Sequence, residues 1–206
     1  PAPAIESGYP VAFALWDART HTLFAARDHL GVKPFHYALR DGSFVFASEL
    51  KAVLAHPAVT ATIDPAALRL YLECQFIPAP YCAFDGVRKL LPGQALTFTR
   101  GKLTVRDYWR PNYGDKLELA DDEAIAAVDR ELRASVQGML VADVPLGAFV
   151  SGGVDSGLVA ALMTDLKGGP IDTFNVGFEG GVAVSEHAEA ARVARHLGAR
   201  HHTLML

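Results

Sequence analysis

From position 121 onward, long amphipathic runs alternate with short apolar runs, and this alternation constrains the fold more than any other feature of the sequence. The short runs predict strands at residues 146–151, 173–176 and 203–206. Helices are predicted between them at residues 157–167 and 185–197, the second with Ser185 as its N-cap, and a glycine follows each. Strands joined by helices of this length pair in parallel, so we predict an open α/β sheet.

A longer helix is predicted in front of the first of these strands. Apolar residues recur there at helical spacing, and Asp121 or Asp122 is available as the N-cap. The apolar positions are Ile125, Val128, Leu132, Val136, Met139 and Leu140. This helix is expected to place one continuous apolar face against the sheet.

The chain up to position 110 has a different pattern, in which short strands are joined by turns. Near-continuous apolar runs at residues 11–16 and 23–27 predict strands that are covered on both faces. The predicted turns and elements are a hairpin at Asp41-Gly42, a strand at residues 94–98 between Gly93 and Gly101 that leads to residues 103–105, a helix at residues 48–56, and a helix from the N-cap Asp64 to about Glu73. We therefore predict a layered α+β structure for this half.

Composition and charge exclude several classes of protein. The 206 residues are 50% hydrophobic and 20% charged, with a mean hydropathy of +0.18, which is too apolar for a disordered chain. No run reaches the ~20 apolar residues of a membrane-spanning helix. The net charge is −4, and 7 basic residues face 14 acidic ones beyond Arg110, so no nucleic-acid surface is expected. Two cysteines are too few for a disulfide framework, which favours a cytoplasmic protein.

The change of pattern also predicts a domain boundary. We expect one domain at residues 1–111, a linker at residues 112–120 and a second domain at residues 121–206. The chain starts at Pro1, in a segment without the basic and apolar parts of a signal peptide. It ends within an apolar run. Because the first residue is not Met and the last residues belong to an apolar run, we expect a piece of a longer protein.

The hexapeptide Ser151-Gly152-Gly153-Val154-Asp155-Ser156, hereafter the glycine loop, joins a predicted strand to a predicted helix. Ligands of open α/β sheets bind beyond the carboxyl ends of the strands. The two glycines allow successive N–H groups to converge, and the helix adds its positive end, which suits a polyphosphate. The hydroxyls of Ser151 and Ser156 can donate to the same oxygens. Asp155 would repel phosphate unless Mg²⁺ bridges the two, so Asp155 is predicted as a metal ligand.

A glycine-rich turn with a purely structural role is the simpler alternative for this loop. The order of strand, SGGVDS and helix favours phosphate binding instead. A Walker loop requires Gly-Lys-Ser/Thr, and a dinucleotide fingerprint requires G-x-G-x-x-G. Neither pattern is present in this stretch of the sequence.

The glycine loop resembles the PP-loop of the ATP pyrophosphatases, and the wider stretch at residues 142–156 resembles the glutamine-dependent asparagine synthetases. Other stretches are similar to the same family: residues 173–178 and 189–202 resemble its next strand, helix and strand, and residues 13–17, 26–34 and 46–52 resemble the end of its glutaminase domain. The resemblance spans both halves and crosses the predicted domain boundary.

This resemblance implies a fold, an activity and a set of ligands. The first half would be the C-terminal part of an N-terminal-nucleophile (αββα) glutaminase domain. The second would be the start of a PP-loop domain of the adenine-nucleotide α-hydrolase type. The whole protein would act on ATP, aspartate and glutamine with Mg²⁺, and would release asparagine, AMP, pyrophosphate and glutamate. Whether it forms a homodimer is left open by the resemblance. The implied ATP ligands are Ser151, Gly152, Gly153, Asp155 and Ser156 at the pyrophosphate, and the backbone of Phe149 and Val176 at the adenosine.

Two departures from the family pattern limit these implications. Gly157 stands where the family usually has a second serine. The family's glutaminase uses an N-terminal cysteine, which Pro1 cannot replace, so no catalytic residue is predicted here and the piece alone is expected to be inactive. Two alternatives stay open. One is a β-lactam-synthetase-like enzyme or related amidotransferase that adenylates another carboxylate, and the other is a non-catalytic nucleotide-binding fragment.

The remaining candidate residues are given structural roles. Cys74 lies at a predicted helix end among apolar residues, which favours a buried thiol, and Cys82 has no histidine or aspartate motif beside it. Arg27, Asp28 and Lys33 are predicted to pack around the turn that follows the second strand rather than to form a surface group of ion pairs.

Overall fold

The computed structural model of the protein describes residues 10–179 and 185–206. Pro1, which is predicted to be unable to act as a glutaminase nucleophile, lies outside these residues. The chain separates into two compact units, Pro1–Asp115 and Lys116–Leu206.

Within residues 10–115, the first unit contains seven strands and two helices. In chain order these are β1 (Ala12–Asp17), β2 (Thr22–Arg27), β3 (His36–Arg40), β4 (Ser43–Ala47), α1 (Leu50–Leu54), α2 (Pro65–Cys74), β5 (Val87–Lys89), β6 (Gln94–Thr99) and β7 (Lys102–Asp107). One antiparallel sheet has the order β1-β2-β6-β7, and a second has the order β4-β3-β5. This half therefore has the mixed α and β content that the sequence predicts.

Two hairpin turns of this unit follow directly from the sequence. Asp41 and Gly42 have φ values of 50° and 76°, and Arg100 and Gly101 have φ values of 48° and 76°. Positive φ at both central residues is the type I′ geometry, whose twist matches that of the paired strands. The predicted hairpin at Asp41-Gly42 is confirmed, since β3 pairs with β4, and the strand predicted between Gly93 and Gly101 is β6, which pairs with β7.

The two helices of the first unit follow their predictions to different degrees. The carboxylate of Asp64 accepts a hydrogen bond of 2.9 Å from Ala66 N–H, and α2 starts at Pro65, as predicted. The prediction of a helix at residues 48–56 is too long, because α1 covers only Leu50–Leu54. The carbonyl of Ser48 accepts a 2.9 Å hydrogen bond from the ring of His36 on β3, which holds this residue outside the helix.

The two sheets of the first unit share one buried cluster. Its members are Ala25, Phe35, Tyr37, Leu90 and Leu96. The predicted burial of both faces is wrong for β1, where Leu15 is 52% exposed and Trp16 is 55% exposed. Among residues 10–115, β1 is the outer strand of its sheet and pairs with β2 alone, so fewer neighbouring side chains cover it.

The second unit alternates helices and strands. Over residues 116–179 and 185–206 these are α3 (Asp121–Met139), β8 (Gly147–Phe149), α4 (Val154–Lys167), β9 (Asp172–Gly177), α5 (His187–His196) and β10 (Arg200–Met205). The strands pair in parallel in the order β10-β9-β8. The predicted parallel sheet is therefore confirmed.

The start of α3 differs from the prediction. Its N-cap is Ala120, not Asp121 or Asp122, and both aspartates lie in the first turn. The carboxylate of Glu123 accepts a 3.1 Å hydrogen bond from Ala120 N–H. Acidic side chains at this end interact favourably with the helix dipole without acting as caps.

The starts of α4 and α5 also differ from the prediction. α4 starts at Val154 instead of residue 157, which brings half of the glycine loop into its first turn. The N-cap of α5 is Glu186 instead of Ser185. Ser185 Oγ accepts a 3.0 Å hydrogen bond from Phe178 N–H, so this side chain holds the chain after β9 instead of capping the helix.

The core of the second unit lies between its helices and one face of the sheet. Its buried members are Val136, Val150, Ala160, Leu162, Met163 and Ile171. Only the C-terminal half of the apolar face of α3 contributes, because Ile125 and Val128 are 67% and 58% exposed. Among residues 10–179 and 185–206, no helix combines the length and hydropathy that a membrane crossing requires.

Candidate functional site

The glycine loop lies at the carboxyl end of β8, between that strand and α4. β8 ends at Phe149 and α4 starts at Val154, so Asp155 and Ser156 belong to the first helical turn. The four middle residues of the loop are exposed, and its two serines are half-buried. The loop is therefore accessible from solvent, as a phosphate-binding role requires.

The two serines hold the shape of the loop. Ser156 Oγ accepts a 3.1 Å hydrogen bond from Ser151 N–H and lies 2.9 Å from Ser151 Oγ. Ser151 Oγ in turn accepts a 3.1 Å hydrogen bond from Gly153 N–H. These contacts tie the end of the strand to the first turn of the helix, so the loop is organised without a ligand.

The first turn of α4 presents main-chain donors. Gly153 is the N-cap, with φ −77° and ψ 155°, and no side chain caps this end. Within the described residues, the N–H groups of Val154, Asp155 and Ser156 make no hydrogen bond, and the first helical bond runs from Gly157 N–H to Gly153 O at 3.2 Å. Three consecutive donors at the positive end of a helix therefore remain available to an anion.

Two glycines of this region have different surroundings. A Cβ on Gly152 would lie 2.5 Å from Glu189 Cβ, so the loop backbone packs directly on the first turn of α5. A Cβ on Gly157 would lie 3.5 Å from Val193 Cγ1, an ordinary contact. Gly152 is thus required by packing, whereas Gly157 leaves room for a side chain. Local sequence patterns give no signal for the Gly152–Glu189 contact, because it depends on how α5 returns to the sheet.

The main chain of Val176 is directed toward the end of β8. Gly177 O accepts a 3.0 Å hydrogen bond from Leu206 N–H, so Gly177 faces the β10 side of the strand. Successive main-chain groups of a strand alternate in direction, which turns Val176 toward the β8 side. β8 has already ended at this level. Within the described residues, Val176 N–H makes no hydrogen bond.

The predicted adenosine residues lie on the face of the sheet that the core does not cover. Phe149 is 80% exposed and Val176 is 39% exposed. Between them, the ring of Phe174 stacks on His202 with centroids 5.0 Å apart. Phe149 also lies on the outer strand of the three-stranded sheet, which leaves its main-chain groups on the side away from β9.

A group of ion pairs lies at the other end of the strands. Arg200 and His202 both hydrogen-bond Asp172, and they lower the pKa of its carboxyl to about 2. Asp172 is the first residue of β9, so its charge lies away from the carboxyl end where the glycine loop is. This group therefore aligns β9 with β10 rather than contributing to the loop.

The described residues contain no cluster of three or more histidine, cysteine or acidic side chains able to hold a metal. Asp155 is an exposed carboxylate in the first turn of α4. Mg²⁺ prefers one or two carboxylates together with phosphate oxygens. The role of Asp155 as a metal ligand stays a prediction.

Comparison with protein families assigns both units. Residues 9–109 match the glutamine amidotransferase domain, and residues 127–206 match asparagine synthase. The chain is 37% identical over 173 residues to the glutamine-hydrolysing asparagine synthetase 3 of Bacillus subtilis, an alignment that covers 82% of this chain. The chain belongs to the glutamine-hydrolysing asparagine synthetase family.

Other relatives show the breadth of this family and the extent of the match. A putative asparagine synthetase of Methanocaldococcus jannaschii is 37% identical over 82% of this chain, and the amidase chyE of Penicillium rubens is 30% identical over 95% of it. The alignments cover 28%, 34% and 31% of the B. subtilis, M. jannaschii and P. rubens proteins. The chain thus spans about a third of the length of these curated members of the comparison.

In this family member, residues 27–34 form a second turn with many polar contacts, hereafter the arginine turn. The guanidinium of Arg27 donates to the carbonyls of Gly31, Lys33 and Leu90 at 2.5, 2.7 and 2.6 Å. The carboxylate of Asp28, which is 5% exposed, accepts from the N–H groups of Val32 and Lys33. The predicted packing role of Arg27 and Asp28 is confirmed, whereas Lys33 takes part through its main chain.

The two cysteines differ from each other. Cys82 is buried, consistent with its predicted structural role, but the predicted burial of Cys74 is wrong because this residue is exposed. The reason lies in α2, where only Ala67 is buried. Apolar neighbours in the sequence did not identify the face of α2 that contacts the rest of the unit.

Proposed function

We propose that the glycine loop binds the triphosphate of ATP. The observation that carries this proposal is the exposed loop at the carboxyl end of a parallel strand, followed by three consecutive main-chain N–H donors without an acceptor in the described residues. Ser151, Gly152, Gly153 and Ser156 would surround the phosphate oxygens. Mg²⁺ would supply charge neutralisation there, and Asp155 is the side chain that would hold it.

The adenosine would lie against the carboxyl end of the sheet. Val176 offers a main-chain N–H and C=O beyond the end of β8, and Phe149 offers main-chain groups on the outer side of β8. Both residues are exposed. We propose that these main-chain groups line the adenosine pocket, while the glycine loop holds the phosphates.

The domain assignment of the chain is part of the same proposal. Residues 1–111 would be the C-terminal part of an N-terminal-nucleophile glutaminase domain, and residues 121–206 the start of a PP-loop domain, joined by a linker at residues 112–120. The family matches at residues 9–109 and 127–206 support this division. The two packed antiparallel sheets and the parallel sheet are compatible with those folds.

The whole protein would be a carbon–nitrogen ligase. The β-carboxylate of aspartate would attack the α-phosphorus of ATP, which forms β-aspartyl-AMP and releases pyrophosphate. Ammonia, released from glutamine by hydrolysis to glutamate, would attack the activated carbonyl and expel AMP, which leaves asparagine. The described residues would bind ATP and would orient its α-phosphorus for attack.

A different acceptor carboxylate is the second candidate. The similarity to a protein named as an amidase, over 95% of this chain, favours it, since that alignment includes both units. The adenylation step would be shared, and the residues that choose the carboxylate would differ.

ATP–pyrophosphate exchange with the complete polypeptide tests both candidates. We expect exchange that depends on aspartate and Mg²⁺. Exchange with another carboxylic acid, but not with aspartate, would replace the asparagine assignment and keep the adenylation. ATP binding without exchange in the presence of any carboxylic acid tried would favour a non-catalytic nucleotide-binding protein, and absence of ATP binding would reject the site.

A further inference from the structure

The carbonyl of Val150, the residue just before the glycine loop, marks the point where the ladder between β8 and β9 stops. Val150 is 2% exposed, and its N–H donates to Phe174 O at 2.9 Å. In a continued parallel ladder, Val150 O would accept from Val176 N–H. Within the described residues that bond is not formed, and Val150 O instead accepts a 3.1 Å hydrogen bond from Asn175 Nδ2.

The chemistry of the partner fixes the orientation of the Asn175 amide. A carbonyl oxygen can only accept, so the group facing Val150 O must be the amide NH₂. Asn175 Oδ1 is then buried without a hydrogen-bond partner among the described residues. A buried acceptor without a donor costs free energy, so stability alone does not explain this arrangement.

The arrangement has a consequence for Val176. A buried carbonyl needs a donor, and two donors are within reach along β9: the Val176 main chain and the Asn175 side chain. Because Asn175 takes this place, Val176 N–H remains available on the β8 side of the strand. The chain that follows β8 is also free to turn away into the glycine loop directly after Val150.

We propose that Asn175 is a positioning residue for the nucleotide base, which ends the β8–β9 ladder so that the main chain of Val176 can pair with the edge of adenine. This inference rests on the proposed ATP site. A main-chain N–H beside a C=O matches the ring-nitrogen acceptor and amino donor of adenine. Guanine presents the opposite order at the same edge, so the arrangement also discriminates between the two bases.

Substitutions of Asn175 in the full-length protein test the role of its donor. We expect Asn175→Ala to raise the KM for ATP in the exchange assay about tenfold, the scale of one lost hydrogen bond, and to reduce the preference for ATP over GTP. The kcat at saturating ATP should change little. Asn175→Asp keeps the size of the side chain but removes the donor, so it should resemble Asn175→Ala.

Thr173→Val is the matched control for these variants. Thr173 is fully buried on the same strand and its hydroxyl contacts His201 Nδ1 at 3.0 Å, away from the end of β8. This variant should lower the thermal midpoint and leave the KM for ATP and the ATP/GTP ratio unchanged. An unchanged KM and ratio in Asn175→Ala, or wild-type values in Asn175→Asp, would overturn the inference.

Hydrogen exchange on the unmodified protein gives a readout that needs no variant. The amide of Val176 should exchange rapidly without nucleotide and slow when ATP is added. Protection of this amide without ATP, to the level of the β9–β10 ladder, would overturn the inference while the ATP site stands. Absence of ATP binding by the wild-type protein would reject the proposed function and this inference together.

Discussion

The arginine turn and the glycine loop both follow a strand and both contain glycine, but they use their polar groups in opposite ways. In the arginine turn, Arg27 donates to three carbonyls and the buried Asp28 accepts from two amides, so the protein itself satisfies these groups. In the glycine loop, three consecutive amides have no acceptor in the described residues, and Asp155 is exposed. Two turns that both follow a strand therefore differ in how many main-chain donors they leave available.

The difference shows which observation separates the two roles. A turn whose donors and acceptors are paired internally has little to offer a ligand, and its side chains contribute to stability. A turn that is fixed in shape while its outward donors stay unpaired can bind an anion without rearrangement. The contrast predicts that substitutions in the arginine turn reduce folding stability, whereas substitutions in the glycine loop reduce nucleotide affinity.

The largest expected effect on stability is that of Asp28→Ala. This change removes the buried carboxylate that accepts from the N–H groups of Val32 and Lys33, two charge-assisted hydrogen bonds, at a cost of about 3 kcal/mol. Urea denaturation of the complete polypeptide measures it. Asp85→Ala is the control, since Asp85 forms an exposed ion pair with Arg40, and its loss should cost under about 1 kcal/mol. Equal effects of the two changes would contradict the assigned role of the arginine turn.

Asp155→Ala is the corresponding change in the glycine loop. We expect Mg²⁺-dependent ATP affinity to fall about 100-fold, the scale of a lost contact with a charged group, with little change in the denaturation midpoint. Isothermal titration with and without Mg²⁺ measures it. Asp165→Ala is the matched control, because Asp165 is an exposed aspartate of the same helix that pairs with Arg133. A wild-type Mg²⁺ dependence in Asp155→Ala would remove Asp155 from the site.

Local features of the fold could be predicted from the sequence where neighbouring residues determine them. The hairpin at Asp41-Gly42 needs two residues with positive φ, and the cap of α2 needs a carboxylate one residue before Pro65. Burial could not be predicted in the same way. Trp16 lies in an apolar run but on an outer strand, and the exposure of Cys74 depends on which face of α2 contacts the unit.

The candidate site also contains residues that the sequence could single out and residues that it could not. The residues of the glycine loop are contiguous, so the sequence could single them out as a group, and their role in binding remains a prediction. Asn175 and Glu189 could not be found this way. Asn175 meets Val150 through the register of β8 against β9, and Glu189 meets Gly152 through the packing of α5. Both contacts depend on tertiary structure that no local pattern records.

A smaller effect is expected for Gly152→Ala, which tests the packing beneath the loop. A Cβ at this position would lie 2.5 Å from Glu189 Cβ, so the loop or α5 must move. We expect a loss of about 2 kcal/mol in stability, typical of overpacking, together with weaker ATP binding. Gly169→Ala is the control, because a Cβ there meets nothing within 4 Å and its φ is not in the left-handed region. Stability equal to wild type in Gly152→Ala would show that the loop is not held against α5.

The smallest expected effect is a gain, at Gly157, where the family resemblance leads us to expect a serine. Gly157 lies in the first turns of α4, and a Cβ there would make only an ordinary 3.5 Å contact with Val193. Gly157→Ala should stabilise the protein by about 0.5–1 kcal/mol, because glycine is a poor helix former. Gly157→Ser should share part of that gain and also strengthen ATP binding several-fold, since its hydroxyl adds a donor beside the first turn. Denaturation and titration of the two variants separate the contributions, because the alanine variant changes the helix alone. Equal ATP affinity in both variants would mean that the main-chain donors of the glycine loop already satisfy the hydrogen-bond acceptors of the phosphate.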